Sequence, residues 1–228
     1  MQARNSRIAA IAGSLLIFAS ATYLFAWSSI FSVKEISITG APTPESQQAV
    51  TSALSIPSGE KMARVEPRAL ERRLDTFDWI SEVNISRNWF NRKVSIEISP
   101  RTPIALFNPA TSPQSTIDAA GKVFKLPGGA KNSLPKVEAQ SAKSGVAAIS
   151  LFTALPQSFR SKINLMSVRN SGAFAISYSD NARSVAISWG DGKNTALKVD
   201  VVEALLALPE NSKISSIDVS APHAPIVR

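Results

Sequence analysis

Hydrophobic and polar positions change their rhythm several times along this chain, and each change marks an element. Ile8 to Phe31 carries no charged side chain at all. A bilayer core about 30 Å thick takes about 20 apolar residues as a helix, so this run is long enough to span one with some tilt. Within lipid every backbone polar group must be satisfied inside the segment, which leaves a helix as the form of a single span. After it, Ile36 and Ile38 alternate with polar residues in FSVKEISITG, which predicts a half-buried strand. Thr43-Pro44 opens a helix with an apolar stripe of Ala49, Val50, Ala53 and Leu54, broken by Pro57-Ser58-Gly59. A second helix starts at Glu66-Pro67 and places Leu70, Leu74 and Phe77 on one side. Arg68, Arg72 and Arg73 lie on its other face, read as solvated charge or as a headgroup or partner contact. Two alternating strands follow, around Val83 and Ile85 and around Val94, Ile96 and Ile98, joined by a turn at Asn88 to Asn91. The order strand, helix, helix, strand, strand predicts a small α+β unit with helices on one face of its sheet.

Beyond Pro100 the pattern becomes proline-spaced. Ile104 to Phe107 enters a strand, and Ser115 to Leu126 reads as a hairpin around Asp118-Ala119-Ala120-Gly121. Ser144 to Leu155 reads as a helix ended by Pro156, and Ile163 to Val168 as a strand. Ala173 to Tyr178 and Arg183 to Trp189 form a hairpin around Ser179 to Ala182. A helix from Thr195 to Leu208 is expected to bury Val199, Val202, Leu205, Leu206 and Leu208, and Ile214 to Ser220 is the last expected strand. Its alternation puts Ile217 and Val219 on one face and Ser216, Asp218 and Ser220 on the other.

Charge orients the apolar run. Arg4 and Arg7 precede it and the next charge is Lys34, so the positive-inside bias puts the N-terminus in the cytoplasm and the rest outside. Tyr23 and Trp27 sit near its far end, at headgroup level. A cleaved leader with Ala19-Ser20-Ala21 as its cleavage site is the competing reading. The run exceeds the usual apolar region of about 7–15 residues, which favours a retained anchor. Apolar content of 44% against 18% charged residues describes a folded chain, and the absence of cysteine means the fold rests on its core without disulfides. The net charge is +8 over 228 residues. Outside the cytoplasm that excess points to anionic lipid or wall polymer, or simply to a soluble surface, and not to nucleic acid.

Reactive constellations are absent from the pattern. His223 is the sole histidine, set among prolines with no carboxylate cluster beside it. Gly190-Asp191-Gly192 lacks the spacing and the Lys-Ser/Thr of a phosphate loop and reads as a turn. No serine stands in Gly-x-Ser-x-Gly or Ser-x-x-Lys with matching partners, so no enzyme, cofactor or metal site is expected. Binding remains: a terminal strand at a sheet edge offers free N–H and C=O groups to a partner strand.

The first unit resembles a POTRA domain, and FSVKEISITG, IPSGEKMARVEPRALERRL, WISEVNISRNW and VSIEISPRTPIALF are similar to the FtsQ/DivIB family of bacterial cell-division proteins. The Asp-x-x-Gly hairpin and the phrase IDVSAP extend the resemblance toward the C-terminus. Two details depart from it: Phe90 stands where the family often has Pro after the turn tryptophan, and Ser99-Pro100-Arg101 replaces a Glu-Arg pair before proline. The resemblance implies a cytoplasmic tail at residues 1–7, a transmembrane helix at 8–31, a POTRA domain at 32–101 and a β-rich domain with flanking helices at 102–228. It implies a non-catalytic scaffold at the division septum, single-pass with its C-terminus outside. This scaffold links early and late division proteins, holds FtsB/DivIC- and FtsL-type coiled-coil partners by strand addition and so influences septal peptidoglycan synthesis. The partner site then falls on Arg169, Lys198, Ile214, Ser216, Asp218, Ser220, Ala221 and Pro222. A POTRA free edge at Val33 to Ile38 or Val83 to Ser86 would serve recruitment. The alternative is a POTRA-bearing envelope-assembly or secretion factor that binds exported polypeptides by the same edge chemistry.

Overall fold

A computed structural model describes residues 11–20, 22–23, 31–131, 133–180 and 183–228, with the backbone alone for Asp180. The expected span at 8–31 lies partly outside these residues. Within it, residues 11–20 are helical, and no helix among the described residues is long and apolar enough to cross a membrane. The chain divides into two compact units, Met1–Pro100 and Arg101–Arg228.

The first unit follows the expected order: β1 (Glu35–Thr39), α1 (Pro44–Leu54), α2 (Pro67–Leu74), β2 (Ile80–Asn88) and β3 (Lys93–Pro100). Thr43 caps α1 by accepting from the Ser46 N–H at 3.1 Å, while the Ser46 hydroxyl accepts from the Thr43 N–H, so two of the helix's orphan donors are satisfied. At the other end of α1, Arg73 of α2 donates to the Leu54 carbonyl at 2.8 Å. The sheet order β1-β3-β2 puts the alternating Val94, Ile96 and Ile98 in the centre, all buried, and leaves β1 and β2 both as edges. Val33, read as part of the first strand, precedes it and is buried.

The second unit is one nine-stranded sheet, ordered β12-β11-β10-β9-β8-β7-β4-β5-β6. Its strands are β4 (Ala105–Phe107), β5 (Ser115–Ile117), β6 (Val123–Lys125), β7 (Lys136–Glu138), β8 (Ile163–Val168), β9 (Phe174–Asp180), β10 (Arg183–Gly190), β11 (Ser216–Asp218) and β12 (Ile226–Val227). Helices α3 (Ala142–Ala154), α4 (Gln157–Arg160) and α5 (Thr195–Ala207) supply Ala148, Ile149, Phe159, Val199 and Val202 to a core built on the strands' Ile117, Met166, Tyr178, Ile187, Trp189 and Ile217. The expected turn at Ser179 to Ala182 falls partly outside the described residues, at Asn181 and Ala182.

Three expectations are corrected. Helix α3 begins at Ala142 because Ser141 caps it, accepting from the Ser144 N–H at 3.2 Å. In α5, Leu205 and Leu206 are only half-buried and Leu208, which falls just past the end of the helix, is 41% exposed, while Lys198 is buried. The last expected strand shortens to Ser216–Asp218, and the chain then reverses to add β12.

Candidate functional site

The C-terminal end of the large sheet is where most of the expected partner residues gather, and the strand registers put them there. Ser167 of β8 lies opposite Ala175 of β9, Ala175 opposite Ser188 of β10, Ser188 opposite Asp218 of β11, and Asp218 opposite Ile226 of β12. The next row runs Leu165, Ser177, Ala186 and Ser216. Directly opposed residues share a face, and neighbours along a strand alternate. One face of this region therefore presents serines, alanines and Asp218, flanked by Leu165 and Ile226, while Ile176, Tyr178, Val185, Ile187, Trp189, Ile217 and Val219 turn into the core.

Arg169 is placed over the polar face by a tight β8–β9 turn, in which the Arg169 N–H donates to Ala173 O at 2.9 Å and the Gly172 N–H to Arg169 O at 2.8 Å. Its guanidinium then reaches across β9 to donate to Ser188 Oγ at 3.2 Å. Asp218 Oδ1 accepts from the Ser220 hydroxyl at 2.6 Å and from the Ser220 N–H at 2.9 Å. These two bonds hold the Asp218 carboxyl below its ordinary range; partial burial works against them, and the positive charges of Arg169 and Arg228 add to them. A carboxylate so stabilised is a poor proton acceptor at neutral pH. The chemistry on offer is recognition by charge, hydroxyl groups and backbone.

The edge completes the site. Arg228 exchanges two backbone hydrogen bonds with Ser216, its N–H to Ser216 O and the Ser216 N–H to Arg228 O, each 3.0 Å. In an antiparallel ladder such pairs alternate with pairs whose N–H and C=O point outward, so the backbone groups of Val227 face away from β11. Ile226 is 53% exposed. Ala221 and Pro222 form the turn that brings β12 back, closed by the Ala224 N–H on Ala221 O at 3.0 Å.

Two expected contact residues stand elsewhere. Lys198 is 1% exposed, and its ammonium donates inside the domain to the carbonyls of Trp189 at 2.8 Å and Asp191 at 2.9 Å and to Asp191 Oδ1 at 3.2 Å. A lysine on a helix reads as solvent-facing in sequence, and its burial is set by the β10–α5 connection folding over it. Ile214 is half-buried against the core. Arg169, Ser216, Asp218 and Ser220 are brought together around the polar face and its edge. Sequence reasoning missed Ser188, Ile226 and Val227. The alternation of Arg183 to Trp189 contains the signal for Ser188, whereas β12 is two residues long and has no period to read.

Among the described residues no group of three or more His, Cys, Asp or Glu side chains is placed to hold a metal ion, and His223 is exposed. Comparison with known families gives two matches in tandem: "POTRA domain, FtsQ-type" over residues 31–101 and "Cell division protein FtsQ/DivIB, C-terminal" over residues 110–220. Similar curated proteins include the cell division protein FtsQ of Streptomyces bingchenggensis, 26% identical over 227 residues, covering 93% of this chain and 82% of the relative. The FtsQ of Streptomyces coelicolor is 24% identical over 239 residues, covering 97% and 88%. That of Streptomyces venezuelae is 24% identical over 226 residues, covering 93% and 80%.

Proposed function

We propose a role from one premise: the chain belongs to the FtsQ/DivIB family of cell-division proteins. In this reading it is a non-catalytic scaffold of the division machinery at the septum, and it joins early and late division proteins through its outer domains. Residues 1–7 stay in the cytoplasm, 8–31 cross the membrane once, and a POTRA domain at 32–101 and a β-rich domain at 102–228 stand outside. Support for the anchor comes from the uncharged run itself and from Ile11, Leu15, Leu16, Ile17 and Phe18. Each of these side chains is at least 61% exposed, and together they surround the helical stretch 11–20 with apolar surface that lipid would cover.

The distal domain holds coiled-coil partners of the FtsB/DivIC and FtsL type by strand addition, and through them influences septal wall synthesis. The observation that carries this is the outer edge of β12, where the Val227 backbone groups are turned away from the sheet and Ile226 is exposed. A partner strand laid there extends the sheet to a tenth strand, gaining backbone hydrogen bonds from the edge and contacts to the polar face from its side chains. Ser216 and Asp218 lie one strand in from that edge, on β11, Arg169 reaches Ser188 on β10 behind them, and Ser220, Ala221 and Pro222 lead into the turn that shapes the approach. Confinement of both partners to one membrane raises their effective concentration without new contacts.

Val227→Pro tests the reading. Edge strands accept proline on their outward side, so the domain stays folded while the outward N–H is lost. The expected result is capture of coiled-coil division partners by the full chain and loss of capture by the variant, with an unchanged unfolding transition. Equal capture by both rejects strand addition at β12. Absence of any division protein with the unaltered chain rejects the scaffold itself.

A further inference from the structure

Phe90 is 98% exposed, at the tip of the β2–β3 hairpin, where the Asn91 N–H donates to Asn88 Oδ1 at 3.0 Å to close the turn. A solvated turn gains nothing from a bare phenyl ring, and the strand pattern does not require one there. Two sets of contacts tie this tip to the point where the uncharged run ends. The Phe31 ring meets Trp89 edge-on, with centroids 6.1 Å apart and planes at 62°. The Arg92 carbonyl accepts from the N–H groups of Lys34 at 2.8 Å and Glu35 at 3.3 Å. On the other side, the Met62 N–H donates to Phe31 O at 2.8 Å and the Val33 N–H to Glu60 O at 2.7 Å. Residues 31–35 are thus clamped between the hairpin and the loop at 60–62, so the tip is held beside the end of the run.

The same end of the unit is cationic. Lys34, Lys61, Arg87, Arg92 and Lys93 gather there, against Glu35, which pairs with Lys93 at 2.7 Å, and Glu60, which pairs with Arg64 at 3.9 Å. Arg87 lies over the Trp89 ring at 5.4 Å and donates to the carbonyls of Met62 at 3.1 Å and Val65 at 2.8 Å, which stiffens the base of the hairpin. Exposed aromatic side chains rimmed by lysine and arginine match the boundary between acyl chains and anionic headgroups.

We infer that the β2–β3 tip is a second membrane contact, with Phe90 entering the headgroup region of an anionic lipid surface and Lys34, Lys61 and Arg92 facing its phosphates. The contact fixes how the first unit stands on the bilayer, which a single spanning helix would not fix by itself. It rests on the reading of 8–31 as a membrane anchor.

The chain contains no cysteine, so single introduced thiols report single positions. The full chain in vesicles of phosphatidylcholine with phosphatidylglycerol would carry a nitroxide at Asn91→Cys, at Ser81→Cys near the other end of the hairpin, or at Gly13→Cys in the apolar run. Collisions with dissolved oxygen and with a water-soluble nickel chelate report immersion. The expected result is a Gly13 label sealed from the chelate, an Asn91 label several-fold less accessible to it than the Ser81 label, and loss of that protection on Phe90→Ser. An Asn91 label as accessible as the Ser81 label, with the Gly13 label sealed, overturns the tip contact and leaves the anchor standing. A Gly13 label open to the chelate overturns the anchor and the tip contact with it. Protection at Asn91 that survives both Phe90→Ser and removal of the anionic lipid comes from protein, and also overturns the proposal.

Discussion

Lys198 donates its ammonium to the Trp189 carbonyl at 2.8 Å, so that a charge on helix α5 closes the end of strand β10 from within. Replacing it with methionine keeps the apolar stem but leaves that buried carbonyl unpaired, at a cost of about 1–3 kcal/mol. The expected outcome for Lys198→Met is a thermal transition several degrees lower, read by circular dichroism. Partner capture below that transition is retained, because Lys198 does not reach the polar face. Capture lost by a fully folded variant would restore Lys198 as a contact residue.

Asp118 governs an acid-sensitive turn between β5 and β6. Burial pushes its carboxyl up, but the Lys122 N–H, the Arg101 guanidinium with its charge, and the Ala120 N–H together hold it below its ordinary value of 3.8. The Arg101–Asp118 distance is 3.0 Å. A carboxylate with a folded pKa below its unfolded one stabilises the fold above the unfolded value, and that contribution fades as pH falls through the folded value. Asp118→Asn should therefore lower stability at neutral pH by about 1–3 kcal/mol. The variant should also flatten the loss of stability on acidification below about pH 4. Denaturant titrations at several pH values read both effects, and parallel acid limbs in the two proteins would exclude this role.

At the partner edge, Asp218 holds the start of the reversing turn through Ser220, and its carboxyl is likewise depressed. The same sign applies: the turn is firmest above the unfolded carboxylate range and loosens as pH falls through the folded value. Asp218→Ala should speed hydrogen exchange at Ser216 and Arg228, whose N–H groups close the β11–β12 ladder, while the N–H groups of β9 and β10 stay protected. Unchanged exchange at Ser216 and Arg228 would show that the ladder holds without Asp218.

Gly190 sets the distance between β10 and the residues after β11. Its φ is +76°, and a Cβ there would lie 2.8 Å from Ser220 Cβ and 3.0 Å from Ser220 Cα. Gly190→Ala combines left-handed backbone strain of about 1–2 kcal/mol with a clash that displaces Ser220. Lower stability and weakened partner capture are both expected, by thermal unfolding and by affinity measurement. A variant with native stability and native capture would mean that the Ser220 turn can shift without consequence.

Local chemistry by itself determined the elements whose signals are short-range. Thr43-Pro44 marks the start of α1 because cap and first-turn preferences act within four residues, and Val94, Ile96 and Ile98 declare a strand because side-chain alternation follows from the backbone pleat. The repeated strand–helix order was legible for the same reason, and with it the family. Tertiary structure alone decided which strands are edges, because many pairing partners lie far apart in sequence: Ser188 meets Asp218, and Leu106 meets Lys136, through contacts no short window can hold. It likewise decided that Lys198 turns inward, since three acceptors, one at the end of β10 and two in the β10–α5 connection, offset the loss of its water. Phe90 shows the reverse case, an apolar residue left outside because the β2–β3 turn projects beyond the sheet it closes.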